Sequence, residues 1–432
     1  MADENQLLRS KGVAPRNPLG LAFLSLLVGA VAGLVGACFR IGLRHLDLWR
    51  TLLIGKAHAL GWGGIIVVVS ATALLAALAA WMVRRIAPES TGSGIPYVEK
   101  ALREGWAGNP LRIIAVKFVG GLMAIGGGLA LGREGPTVQI GAVVGYFLGE
   151  TFRRDNNGRR VLLAAGAGAG LATAFNAPIA GAVFVLEELV GKFDATISIA
   201  TLGSSAGAIG VARLLLGRDP NFVVPMLAHL DVGNLWSHLL LGIVLGVLGV
   251  AYSRAILRMI AVQTRLNRIA VEWRAAAVGA IIGLLGWFAP DLIGGGDILT
   301  QQALSGNALF SAIAVIFLIR FVLGPLSYSA QTPGGLFAPM LTIGSQAGLL
   351  MGWLWIRLFH GSPFLPQEFA IVGMAAFFTS VVRAPVTGII LVIELTGSSS
   401  LLLPMLAAAF TAMSVATFLK QPPIYSSLRV AR

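Results

Sequence analysis

The sequence predicts an all-α, polytopic membrane protein built as two inverted halves. Three observations predict it. The chain has 432 residues, of which 56% are hydrophobic and only 12% charged, whereas a soluble domain carries about 25% charge. Apolar runs near the length that crosses a bilayer, about 20 residues, recur at 19–38, 63–82, 237–253 and from 309 onward. Finally, the chain matches itself. "APESTGSGIPYVEKAL" (87–102) pairs with "APDLIGGGDILTQQAL" (289–304) at an offset of 202. "GPTVQIGAVVG" (135–145) pairs with "APMLTIGSQAG" (338–348) at 203, and "NAPIAGAVFVLEEL" (176–189) with "RAPVTGIILVIELT" (383–396) at 207. Three matches in one order at nearly one offset mark an internal repeat.

The elements follow in order. Residues 1–19 are polar, lack the apolar core of a signal peptide, and are placed in the cytoplasm. The first transmembrane repeat spans 20–215, an extracytoplasmic linker 216–234, the second repeat 235–420, and a cytoplasmic-side segment 421–432. Basic residues set the orientation. Arg9, Lys11 and Arg16, then Arg84 and Arg85, then Arg254, Arg258, Arg265, Arg268 and Arg274 are assigned to the cytoplasm. Arg40, Arg44 and Arg50 run against that assignment. The linker carries only Arg218, so the first span of each repeat runs in the opposite direction. The net charge of +13 is thus read as loop charge at a membrane and not as a nucleic-acid surface. The single cysteine, Cys38, excludes an internal disulfide and a cysteine-based metal site.

The 55 glycines let helices pack closely. With prolines they also interrupt apolar segments at 120–145 and 332–350, which predicts broken helices around a cavity near the repeat interface. In "LGREGPTVQIGA" (131–142) a carboxylate, Glu134, stands at membrane depth, where it costs at least a few kcal/mol. Pro136 suits the first turn of a helix, so a helix is expected to start inside the membrane. Such a start offers free N–H groups and partial positive charge to an anion, and the Glu134 carboxylate itself is placed to occupy it. "GSGIP" (92–96) and "GGLFAP" (334–339) read alike, Ser93 adds a hydroxyl, and "QPPIYSS" (421–427) offers that of Tyr425. Amides and hydroxyls hold an anion by dipole and release it, whereas a lysine could hold it too well. Alone, each motif reads as a turn or an interfacial tyrosine; together with the buried glutamate they read as a transport site.

These stretches, with "FNAPIAG…LEE" (175–188) and "RAPVTG…IE" (383–394), closely resemble the signatures of CLC chloride channels and transporters, from about residue 20 to 427. The resemblance implies the CLC inverted-repeat fold with many tilted, broken helices, without CBS domains, as in bacterial members. It implies a homodimer with one anion path per subunit, in a bacterial inner membrane with both termini cytoplasmic. It implies chloride as the bound substrate and no cofactor or metal. By resemblance, Ser93, Tyr425 and the amides of Leu336 and Phe337 would coordinate chloride, Glu134 would be the external gate, and Glu188 the internal proton acceptor. Gly92, Gly94 and Pro96 would shape the first loop, Gly135 and Pro136 the second. Lys117 and Arg133 are read as structural charge partners or sources of positive potential, Glu99 and Glu394 as supporting groups of a proton or water network, and Glu187 as a neighbour. Ser93 matches the chloride type, not the nitrate or fluoride type. Gln331 and Thr332 depart from the smaller residues of relatives and leave the shape of that loop open.

A proton-coupled chloride antiporter is therefore expected. A passive chloride channel on the same fold is the alternative; channels of the family usually carry a non-acidic residue where Glu188 stands. An intramembrane enzyme would need a nucleophile–base pair or metal cluster at depth, and neither pattern is present. A GxxxxGK[ST] motif for an ATP-driven pump is absent too.

Overall fold

A computed structural model describes residues 18–218, 220–224, 235–306, 310–359 and 365–430. The polar N-terminal segment before residue 18 and the linker residues 225–234 lie outside the described residues. Helices dominate; the described residues form two isolated β-bridges and no longer ladder. The first half comprises α1 (Pro18–His58), α2 (Trp62–Arg85), α3 (Ile95–Glu104), α4 (Pro110–Ala115), α5 (Gly121–Gly126), α6 (Glu134–Thr151), α7 (Asn156–Phe175), α8 (Pro178–Phe184) and α9 (Ala195–Leu216). The second comprises α10 (Leu235–Arg265), α11 (Val271–Phe288), α12 (Asp297–Ser305), α13 (Phe310–Ser329), α14 (Phe337–Phe359), α15 (Leu365–Val382), α16 (Pro385–Thr396), α17 (Leu402–Phe418) and α18 (Ile424–Val430).

Seven of the described helices are long and apolar enough to span a bilayer, and the chain is a multi-pass membrane protein. Burial sorts them. The span in α15 is 94% buried and that in α2 only 28%. A helix apolar all round belongs in a core, whereas α2 turns Trp62 and Ile66 outward, as lipid-facing helices do. The inner helix α7 is built from Ala and Gly, and every residue from Val161 to Phe175 is buried. It crosses α6 so closely that a Cβ on Gly141 would lie 2.1 Å from the Gly166 carbonyl, and one on Gly166 2.0 Å from the Gly141 carbonyl. Helices α14 and α15 cross the same way at Gly344 and Gly373, with 2.5 and 2.4 Å. Only glycine permits such contact between membrane helices.

Prolines set where the interrupted helices begin. Pro96, Pro178 and Pro385 sit in first turns, where a missing N–H costs nothing. Pro136 and Pro339 do the same in α6 and α14. Two π-helical turns interrupt other helices: Val116–Gly120, between α4 and α5, and Val185–Leu189, after α8. They carry Lys117 and the pair Glu187 and Glu188, and π-turns often mark functional positions.

The matched ends of the two halves cap one another. The Glu187 carboxylate accepts from Val386 N (3.1 Å), Thr387 N (2.7 Å) and Thr387 Oγ1 (2.7 Å) at the start of α16. Glu394 accepts from Ile179 N (3.0 Å) and Ala180 N (2.7 Å) at the start of α8. Each carboxylate satisfies N–H groups that a helix start leaves without acceptors and meets the positive end of the dipole. Glu187 is thus a capping group and not a bystander of Glu188, and Glu394 acts as its counterpart.

Candidate functional site

The three glycine-rich loops meet edge to edge. Gly92 N–H donates to Thr332 O at 3.1 Å and Gly334 N–H to Gly92 O at 3.0 Å. Gly132 and Gly335 exchange N–H···O bonds of 2.9 and 2.7 Å. "GSGIP", "GREGP" and "GGLFAP" therefore form one backbone-bonded junction. Gly135 sits at its centre: a Cβ there would lie 2.8 Å from the Ser93 Cα and 2.9 Å from the Gly335 Cα. Gln331 answers the open question of the second loop. It takes a left-handed conformation, φ 59°, and its carbonyl accepts from Thr91 Oγ1 at 2.9 Å.

Helix α6 starts at Glu134, and this side chain is fully buried. Its Oε1 accepts from the Ala338 N–H at 2.8 Å, so the carboxylate crosses the junction to the N-terminus of α14. Oε2 has no hydrogen-bond partner among the described residues. One and two residues earlier, the Phe337 and Leu336 amides precede the first bond of that helix, Met340 N–H to Leu336 O, so the helix offers them no acceptor. The Phe337 ring lies 6.2 Å from that of Tyr425, nearly parallel to it. The Tyr425 hydroxyl is buried without a partner among the described residues, within electrostatic reach of Glu134, Glu188 and Tyr328. Ser93 is fully buried. The residues read from four separate motifs thus converge. The unpartnered, buried Tyr425 hydroxyl beside free helix-start amides fits an anion, which accepts hydrogen bonds and donates none.

Several flanking groups were legible only in part. Lys117 is buried and donates from Nζ to Gly92 O at 2.6 Å, which fixes the first loop. Arg320, not singled out in the sequence, does the equivalent in the other half. It is buried and donates to the carbonyls of Leu292 (3.1 Å), Gly294 (2.7 Å) and Gly295 (3.0 Å). The signal was present: Lys117 and Arg320 are 203 residues apart, an offset shared by the repeats. Glu99, 5% exposed, pairs with Arg103 at 3.0 Å and with Arg429. It therefore tethers α18, which carries Tyr425, to α3. Glu188 is half-buried on its π-turn, within electrostatic reach of Glu99 and Glu187, and no cation pairs with it among the described residues.

Arg133 pairs with Asp297 at 2.9 Å and donates to Ala174 O at 3.0 Å. With Arg40, Arg44 and Arg50 it lines a cavity of about 640 Å³ that reaches Gly132 and Ala338, the residues flanking the Glu134 carboxylate. The three arginines that ran against the loop-charge rule are lining groups of this cavity, so loop statistics do not apply to them. At another part of the surface Arg84 pairs with Glu272 at 2.8 Å, which brings the basic ends of α2 and α11 together.

Known proteins carry the same architecture. Residues 75–417 match the family model described as voltage gated chloride channel. A slow cyanobacterial Cl-/H+ antiporter solved by X-ray crystallography superposes with a TM-score of 0.91 at 33% identity, covering 95% of this chain and 97% of that one. A eukaryotic CLC transporter aligns at TM-score 0.79 and 24% identity over 95% of this chain and 74% of its own. A CLC-type fluoride/proton antiporter gives 0.79 and 24% over 94% and 96%. The last two show the fold. With most of its length matched by the family model, and with the junction of three glycine-rich loops in place, the chain belongs to the CLC family of voltage-gated chloride channels and transporters.

Proposed function

We propose that this protein exchanges chloride for protons across a bacterial inner membrane, as a homodimer with one path per subunit and without a cofactor. One observation carries the proposal: the buried Glu134 carboxylate rests on the Ala338 amide, at the helix start whose neighbouring amides suit a halide. Ionised, it competes with chloride for the positive end of α14. Protonated, it loses most of that attraction and leaves. One side chain then serves both ions in turn, which couples their movement. Chloride would lie between the Leu336 and Phe337 amides and the hydroxyls of Ser93 and Tyr425. Glu188 would pass protons between the gate and the cytoplasm, a relay role common for carboxylates at membrane depth. Similarity at 33% identity to a cyanobacterial Cl-/H+ antiporter supports this reading over a passive channel, as does the half-buried Glu188, with no paired cation among the described residues.

Chloride titration of the purified protein tests the competition. Glu134→Ala frees the Ala338 amide for the anion, and chloride is expected to bind on the order of tenfold more tightly, the scale of one hydrogen bond to a charged group. Unchanged affinity would mean that the carboxylate and chloride do not share a site.

A further inference from the structure

A third hydroxyl stands at the site with no part in the account above. Tyr328 ends α13 and is 4% exposed. Its Oη is 3.4 Å from both the amide nitrogen and the Oγ of Ser93. The Ser93 N–H donates to Tyr328 Oη, and the tyrosine hydroxyl donates to Ser93 Oγ. The same Oγ accepts the Ile95 N–H at 3.4 Å. A hydroxyl has one proton and two lone pairs. With both lone pairs engaged, Ser93 Oγ is left with its donor role alone.

We propose that Tyr328 is a positioning residue that turns the Ser93 hydroxyl into a dedicated donor toward the transported anion. The inference rests on the reading that Ser93 binds the anion. An anion profits from a hydroxyl only when its proton points inward, and a serine free to rotate spends part of its time presenting lone pairs. The sequence N–H to Tyr328 O–H to Ser93 O–H polarises each successive donor. It also occupies the Ser93 amide, so at this residue the anion is offered the hydroxyl and not the backbone N–H. The charge stays neutral throughout, which keeps the ion releasable. The alternative is that Tyr328 fills space, in which case a phenylalanine serves equally well.

Four forms of the full chain decide between them by chloride titration: wild type, Tyr328→Phe, Ser93→Ala and the double variant. Removing only the phenol oxygen keeps the ring, and elution from a sizing column checks the fold. Tyr328→Phe is expected to weaken chloride binding about fivefold, the scale of one neutral hydrogen bond. Ser93→Ala is expected to weaken it at least as much. Adding Tyr328→Phe to Ser93→Ala is expected to cause no further loss, because the tyrosine acts through the serine. Wild-type affinity in Tyr328→Phe, with Ser93→Ala weakened, overturns the positioning role and leaves the anion site intact. A further fivefold loss in the double variant overturns it as well, since Tyr328 then acts on its own. If Ser93→Ala binds chloride like wild type, the reading of Ser93 as an anion ligand falls, and this inference with it.

Discussion

A carboxylate held on a helix start has the same partners that a small anion would have, and the bond from Ala338 N–H to Glu134 makes this concrete at 2.8 Å. The position depends on atoms that are absent as much as on those present. Because a Cβ on Gly135 would press on the backbone of both Ser93 and Gly335, no side chain can yield to admit it. Gly135→Ala is therefore expected to abolish chloride flux and to lower the thermal unfolding temperature by several degrees, the scale of overpacking by one methyl, about 1–3 kcal/mol. Gly210→Ala is the control. It has nothing within 4 Å of the added Cβ and removes a helix-interior glycine, so its unfolding temperature should equal or exceed that of the wild type. A tolerated Gly135→Ala, read by thermal unfolding and flux together, would show that the junction is looser than its distances imply.

At the scale of elements, the exchange of caps between α8 and α16 ties the two halves together. Glu187 satisfies three donors and Glu394 two. Removing either leaves helix-start N–H groups without an acceptor, at about 1–3 kcal/mol. Glu187→Ala is expected to destabilise more than Glu394→Ala in thermal unfolding of the purified protein; the reverse order would mean that other groups cap α16. The sequence showed these glutamates at matched positions, 207 residues apart, yet not what they touch. Repeat alignment compares a residue with its twin, while capping joins each to the other's helix. The π-turns were invisible for a related reason. Val116–Gly120 and Val185–Leu189 differ from α-helix by one residue of register, and neither carries a Gly-Pro break within it.

On the scale of the whole molecule, most of the fold was legible because lipid leaves a chain few options. Every backbone group at depth needs an internal partner, so apolar length, Gly-Pro interruptions and self-similarity were enough to predict a helical membrane protein of two repeats with interrupted helices. Glu134 stood out because a carboxylate at that depth is costly, whereas Ser93 and Tyr425 were read from the combination of motifs and from the resemblance those motifs carry. Tyr328 and Arg320 did not stand out: both lie within one apolar run, 310–329, where a tyrosine or arginine reads as an interfacial anchor. Only the packing of α13 against the loops brings Tyr328 to Ser93 and Arg320 to the Gly294 and Gly295 carbonyls. Arg40, Arg44 and Arg50, which run against the loop-charge rule, lie on α1 and line the cavity that reaches Gly132 and Ala338, so their positions follow from that cavity and not from a connecting loop.

The most direct test uses the purified protein in liposomes with a chloride gradient, no proton gradient and a pH electrode outside. Proton movement opposite to chloride is expected, and Glu188→Gln should abolish it while chloride continues to flow. Chloride flux without proton movement in the wild type would contradict the exchanger and leave a channel, and no chloride flux at all would direct attention to other anions, fluoride first.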